Sequence, residues 1–479
     1  MSKQVYDIVK DAARLWPNNV AIFDEYGQMT FAELYSSCEF LRLWLLENGV
    51  EKGMGLGLLS RNSRFFVVAL FAAAGTGAVV LPLSHQMKKA EIDEVVREAG
   101  LHFVLDDYSG VDPLESIPSV YENLKHLPGF RLQPSNNPFE NPIAPHLPDA
   151  VFIRFSSGTT GKSKGVVMGN QSVYERVDAA NELLKLTPND VVLWVLPMAF
   201  HFVVSIVLYV RVGAAIAISR DFLAETMLDY SRRFKATLLY ASPMHIRLLS
   251  SYSGAARLDS LRMVISTSTA ISAADIKSFT EKYQKPISQA YGIIEIGLPI
   301  INHLNPEQNP EAVGYALPAY QVEILDDDNN LLPPGEIGHL AISGPGLFDG
   351  YLSPPTLRQE ILNGSWFMTG DLASKDLDGL ITVRGRKKSM INVSGNKVFP
   401  EEVEHVLNTH PDVKESRVFG GKHVLLGEVV QAEVVSSNGQ EDVETLIRFC
   451  REKLSTYKVP QRISFVNELQ RTETGKLKR

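Results

Sequence analysis

Up to about residue 300, apolar runs too short to be helices alternate with stretches whose apolar residues recur at helical spacing. That alternation is the strongest constraint on the fold, because apolar strands separated by amphipathic helices read as parallel sheets covered on both faces. Thr30 before Phe31–Asn48 predicts a capped helix. Leu56–Ser60 and Ala78–Pro82 read as strands, Lys89–Ala99 as a helix, and His102–Leu105 as a strand. Residues 110–148, rich in Pro and Asn, read as a surface connection. A chain of 479 residues is too long for one ordinary core. The expectation is a multi-domain α/β fold.

Two uncharged runs, Phe65–Leu83 and Val191–Val210, are long enough to span a bilayer. Gly75, Gly77 and Pro82 break the first into helix, turn and strand. Pro197 and His201 break the second into strand, loop and helix, so no membrane span is expected. The opening MSKQVYDIVKDAARLWP lacks the apolar core of a signal peptide. A net charge of −8 argues against a broad nucleic-acid surface. Two distant cysteines, Cys38 and Cys450, imply no disulfide framework and favour a reducing, cytoplasmic setting.

The texture changes after residue 310. Short runs such as Gln321–Leu325 and Gly338–Ile342, separated by DDDNN and PPGE, predict a small β-barrel or meander. Beyond Arg386 a helix from Pro400 to Leu407, a strand Gln431–Val435 and a helix Val443–Leu454 predict a small α+β unit. The expected domains are 1–385, a large body of α/β layers with the small barrel, and 386–479.

The most informative segment is Phe155-Ser-Ser-Gly-Thr-Thr-Gly-Lys-Ser-Lys-Gly165, which follows the strand-like run Ala150–Phe155. Glycines and small hydroxyl residues let backbone amides approach an anion, and Lys162 and Lys164 add charge. A mobile polar loop is the bland reading. A P-loop NTPase is a rival, since Gly161-Lys162-Ser163 fits its end, but Ser156 stands where its opening glycine belongs. The segment resembles the phosphate loop of the adenylate-forming superfamily, S/T-S-G-S/T-T-G-x-P-K-G, with Ser163 replacing the proline. That superfamily includes acyl-CoA synthetases, luciferases and peptide-synthetase adenylation domains. WPNNVAI, MTFAELY and GAVVLPL resemble its opening segments, and the resemblance runs over nearly the whole chain.

The resemblance implies an ATP site. Ser156, Ser157, Gly158, Thr159, Thr160, Gly161, Lys162 and Lys164 would hold phosphate. Tyr291-Gly-Ile-Ile-Glu295 resembles the YGxTE element, in which the tyrosine packs on adenine and the glutamate binds magnesium. Thr160 would share the Mg2+, and Ile294 replaces the usual threonine. On its own, Glu295 inside IIEIG is a partly buried carboxylate that needs a cation or donors, and a structural ion pair would serve. Ser266–Ala270 matches the glycine-rich adenine segment poorly. Arg471-Thr-Glu-Thr-Gly-Lys476 resembles the catalytic-lysine tail, with Lys476 contacting carboxylate and phosphate. Lys388 falls at the hinge position. Gly395 falls in the loop lining the thiol tunnel.

One pair can be placed from spacing. Asp378-Gly379 is a two-residue hairpin turn signal. Centred there, Leu377 pairs with Leu380, Lys375 with Thr382 and Asp371 with Arg386. A surface ion pair is the plain reading. The resemblance implies that Asp371 holds the ribose and Arg386 contacts the nucleotide.

Pro197-Met-Ala-Phe-His201 resembles the acyl-CoA branch, where His201 would gate the acid pocket. Alone, His201 reads as a satisfied core histidine. Amino-acid-activating members carry an acid here to pair the substrate amine. AFHFVVS has none, so an apolar acid is expected. The implied acceptor is coenzyme A or the phosphopantetheine of an acyl carrier protein. A luciferase lacks support, since Asn392 stands where many have lysine. A nucleotide-binding pseudo-ligase remains the non-enzyme alternative, against which the matched lysine, glutamate and ribose-site aspartate argue.

Overall fold

A computed structural model describes residues 3–107, 130–135, 143–155, 164–255, 257–393, 396–423, 427–471 and 477. These fall into two compact units. One holds the described residues of Met1–Ser156, Lys162–Tyr320 and Gly344–Leu362, the other those of Gln321–Ser343 and Asn363–Arg479.

The larger unit contains two sheets. Six parallel strands form the centre of the first: Ser288–Ile293, Met263–Ser266, Leu238–Ala241, Val191–Trp194, Ala215–Ile218 and Val20–Asp24. Antiparallel strands Gly297–Ile301 and Tyr315–Ala316 extend one edge, and Gly27–Thr30 the other. The second sheet has a parallel centre of Ala150–Phe155, Val79–Ser84, Gly55–Ser60 and Phe103–Asp106, with antiparallel strands outside it.

Local sequence explains several boundaries. Helix Phe31–Glu47 begins at Thr30, whose hydroxyl accepts from the Glu33 amide while the Glu33 carboxylate accepts from the Thr30 amide. Helix Lys89–Ala99 ends at Gly100, which takes the left-handed conformation at φ 61°. The run Phe65–Leu83 divides into helix Arg64–Gly75 and strand Val79–Ser84, as its glycines predict. Residues Arg64–Ala74 are all buried, as expected of a helix apolar all round. No helix among the described residues is long and apolar enough to cross a membrane.

Residues 110–148 require a correction. Arg131–Pro134 is a strand on Phe103–Asp106. Arg131 and Gln133 are buried there because both donate to the Asp106 carboxylate, Arg131 Nε at 2.9 Å. Polar side chains hid a strand that a buried ion pair makes possible.

In the smaller unit, strands Gln321–Leu325, Ile337–Ser343, Phe367–Lys375 and Ile381–Arg386 pair in chain order, all antiparallel. This is the meander rather than the barrel, since the first and last strands share no ladder among the described residues. Strands Val413–His423, Gly427–Ser436 and Arg462–Phe465 carry helices Pro400–Asn408 and Val443–Lys453 over a core that includes Val403, Leu407, Val418, Val434, Leu446 and Cys450. Cys38 and Cys450 are both buried thiols.

Candidate active site

Ligands of parallel sheets gather beyond the carboxyl ends of the strands. In the nine-stranded sheet that end carries His201 and Glu295, and Tyr291 lies near the close of its strand. Glu295 lies in the short connection between Ser288–Ile293 and Gly297–Ile301, where Ile293 pairs with Gly297 and Tyr291 with Ile300.

A buried arginine fixes that connection. Arg176, on helix Asn170–Leu184, donates through Nη1 to the Ile294 carbonyl at 2.9 Å and through Nη2 to the Gly346 carbonyl at 2.6 Å. The Phe348 amide donates to the Glu295 carbonyl at 2.7 Å. Arg176 is fully buried, and burial pulls its pKa down despite nearby acidic groups. Gly346 is required beside it. Its φ is +68°, and an added Cβ would stand 2.5 Å from the Arg176 backbone nitrogen.

The Glu295 side chain is half-buried. Tyr351 Oη donates to its Oε1 at 3.4 Å. Burial and then the Glu295 charge push the Tyr351 phenol well above its ordinary pKa, so it stays a donor at neutral pH. Lys164 Nζ stands 4.7 Å from the centre of the Tyr351 ring, a cation–π contact. Lys164 and Glu295, both implied by the sequence, therefore meet through Tyr351, which sequence reading missed.

The His201 segment approaches the same region. Phe202 packs edge-on against Phe152 at 4.9 Å, and the Arg154 guanidinium lies 5.5 Å from the centre of the Phe200 ring. His201 Nε2 lies 3.4 Å from Ser268 Oγ, and Ser268 holds a positive φ of 79°. The Ser205 hydroxyl donates to the His201 carbonyl. Phe202–Val207 is one turn of π-helix, interrupted at Val204 by φ −82°, ψ 24°. Such wide turns are frequent at functional sites.

Among the described residues no group of three or more His, Cys, Asp or Glu side chains could hold a metal ion. Glu295 stands there as a single half-buried carboxylate beside Tyr351.

In the smaller unit Asp371 and Arg386 pair as expected, with Arg386 Nε 2.6 Å from Asp371 Oδ1. The aspartate is buried and the arginine half-exposed. The register reaches this pair by a different route. Lys375 faces Ile381 and Ser374 faces Thr382, while the Asp376 amide donates to the Leu380 carbonyl. The connection is therefore one residue longer than a two-residue turn, with Gly379 at φ +85°. A bulge between Leu372 and Ala373 on one side, and Gly385 and Val383 on the other, absorbs Arg384 and restores the pairing. The expected Leu377–Leu380 and Lys375–Thr382 pairs are corrected accordingly. Lys387–Ser389 follows as a single 3-10 turn, in which Lys387 bonds Asp327 at 2.9 Å.

Ser156, Ser157, Gly158, Thr159, Thr160, Gly161, Lys162, Gly395 and Lys476 lie outside the described residues. Sequence reading missed Arg154 and Arg176 along with Tyr351, and reached Ser268 only within Ser266–Ala270, with no contact assigned to it. Charged or polar residues within strand and helix patterns read as solvent-facing.

Comparison with known proteins accords with this arrangement. A family model described as AMP-binding enzyme matches residues 9–352, and one described as AMP-binding enzyme C-terminal domain matches residues 402–476. The chain is 27% identical to the fatty acid–[acyl-carrier-protein] ligase ScoC of Streptomyces coeruleorubidus, over 97% of this chain and 92% of that one. It is 28% identical to the indoleacetate–CoA ligase of Aromatoleum aromaticum, over 98% and 95%. The fold matches that of ATP-bound MatB from Rhodopseudomonas palustris with a TM-score of 0.85 at 23% identity, covering 99% of this chain and 97% of that one. The chain belongs to the AMP-binding enzyme family and is an acid–thiol ligase of the AMP-forming kind.

Proposed function

We propose that the chain activates an apolar carboxylic acid, fatty, branched or aromatic, as its acyl-adenylate and passes the acyl group to the thiol of coenzyme A. The observation that carries the apolar assignment is the His201 segment. Met198, Ala199, Phe202 and Val203 are buried, and AFHFVVS supplies no carboxylate for a substrate ammonium. Leaving an ammonium unpaired among such groups would be costly. The named relatives act on a fatty acid and on indoleacetate, which supports the same class.

In the proposed reaction a carboxylate oxygen attacks the α-phosphorus of ATP, and the bond to the leaving pyrophosphate breaks. Magnesium would neutralise phosphate charge, held by Glu295 and, on the family pattern, Thr160. Arg176 and Tyr351 keep the Glu295 carboxylate in place. Asp371 and Arg386 would hold ribose and nucleotide, with Tyr291 on adenine. Lys476 would contact carboxylate and phosphate during adenylation. Rotation of residues 386–479 about Lys388 would then bring Gly395 to the thiol.

ScoC favours one second reading, transfer to carrier-protein phosphopantetheine. ATP–pyrophosphate exchange across fatty, aromatic and amino acids tests the first step. AMP release with coenzyme A or with holo-carrier protein then tests the second. Exchange with apolar acids and AMP release with coenzyme A are expected. Exchange only with α-amino acids would reverse the substrate assignment, and release only with carrier protein would reverse the acceptor.

A further inference from the structure

Arg154 has no task in the chemistry above. It is the penultimate residue of strand Ala150–Phe155 and faces Val166 in the antiparallel ladder. Lys164 stands two residues before Val166, just ahead of strand Gly165–Gly169, so a second cation adjoins this ladder. The Arg154 guanidinium lies against the Phe200 ring, and its Nε is buried with no hydrogen-bond partner. Burial pulls its pKa down to about 10, and the Glu295 charge opposes that shift, so the group remains cationic at neutral pH.

A guanidinium whose Nε is shut off from water without a hydrogen bond is a cost to the folded state, and replacing such a group by an apolar one of similar length commonly relieves it. Among the described residues the buried Arg64, Arg131 and Arg176 are satisfied, and Arg417, whose Nε is likewise shut off, has its Nη2 3.0 Å from the Glu433 carboxylate. Arg64 is paired bidentately with Asp24, and Arg176 is bonded to carbonyls. Arg154 has Glu295 near it but no bond to it. A planar guanidinium in this state suits an oxyanion, whether phosphate or carboxylate.

We propose that Arg154 binds an oxyanion during adenylation, receiving an oxygen of the ATP phosphates or of the acid's carboxylate. Phe200 flanks the guanidinium on one face, and the Glu295 charge lies near it. The proposal rests on the ligase reading above and adds a substrate-binding residue to it.

The test compares wild type with Arg154→Met and Arg154→Lys. Melting is followed alone, with Mg-ATP and with octanoate, and exchange kinetics are measured against ATP and against acid. Arg154→Met is expected to melt no lower than wild type without ligand. If phosphate is the occupant, the stabilisation by Mg-ATP is lost and the KM for ATP rises about tenfold or more. If carboxylate is the occupant, the Mg-ATP stabilisation survives and the KM for the acid rises by about the same factor. Arg154→Lys should give the same pattern more weakly. Unchanged KM values for both substrates would overturn the proposal. So would a loss confined to kcat, which assigns Arg154 to positioning Glu295. Should Arg154→Met fail to fold, the KM values of Arg154→Lys decide in the same way. If wild type shows no exchange with any acid, the ligase reading fails instead, while the melting comparisons still decide on Arg154: Arg154→Met should lose the stabilisation by Mg-ATP or that by octanoate, and losing neither would overturn the proposal.

Discussion

Glu295 is held from a distance, by an arginine on a helix more than a hundred residues earlier in the chain, whereas Asp371 and Arg386 are held by the ladder of one hairpin. The first arrangement stands on buried polar groups that all find partners, so its parts cannot be changed singly. The second stands on backbone pairing, which tolerates an extra turn residue because a bulge takes it back. The difference concerns cooperativity. Damage to the Arg176 clamp should reach both stability and chemistry, whereas damage to the hairpin turn should stay local.

The largest expected effect is Gly346→Ala. The new Cβ would meet the Arg176 backbone at 2.5 Å in a conformation already unfavourable for alanine. Urea unfolding should show a loss of about 3 kcal/mol or more. A loss below 1 kcal/mol would mean that the clamp yields easily, which removes the contrast.

Next comes Glu295→Gln, which keeps size and removes charge. Pyrophosphate exchange should fall by roughly two orders of magnitude, with thermal melting close to wild type. Undiminished exchange at limiting magnesium would take the metal role away from Glu295. A variant that cannot fold would reassign it to structure.

Gly379→Ala tests the other region with the same kind of substitution. Its φ of +85° disfavours alanine, but nothing lies within 4 Å of the added Cβ. The expected loss is about 1–2 kcal/mol, read by urea unfolding, with the KM for ATP unchanged. A loss as large as that of Gly346→Ala would show that the hairpin is as tightly coupled as the clamp.

The smallest effect is that of Asp371→Ala. The KM for ATP should rise about tenfold, the scale of one charge-assisted hydrogen bond. Calorimetry showing unaltered AMP affinity would remove Asp371 from the nucleotide site.

Much of the architecture was legible because its signals are local. Helix Lys89–Ala99 has its apolar face in its own spacing, and Thr30 announces a helix through Glu33 three residues on. The Asp371–Arg386 pairing was reached through two offsets that cancel, a longer turn and the bulge at Arg384. What stayed hidden was charge turned inward. Arg131, Arg154 and Arg176 sit in strand or helix patterns as ordinary surface residues would. Only the fold supplies the carboxylate, carbonyl or aromatic ring that each one meets. Tyr351 was hidden for a related reason, because its contacts with Glu295 and Lys164 depend on chain segments far apart in sequence.

The π turn at Phe202–Val207 carries one residue more than an α-helix would use over the same length. That surplus sets a phase. Removing one residue there would rotate whatever precedes it by about 100°, one residue's share of a helical turn. His201, now 3.4 Å from Ser268, would swing away without any change in its own identity. On the function proposed above, with His201 bordering the acid pocket, length in this short stretch is as much a coordinate of acid preference as composition, and a one-residue deletion that keeps its melting temperature while altering the ranking of acids would display it.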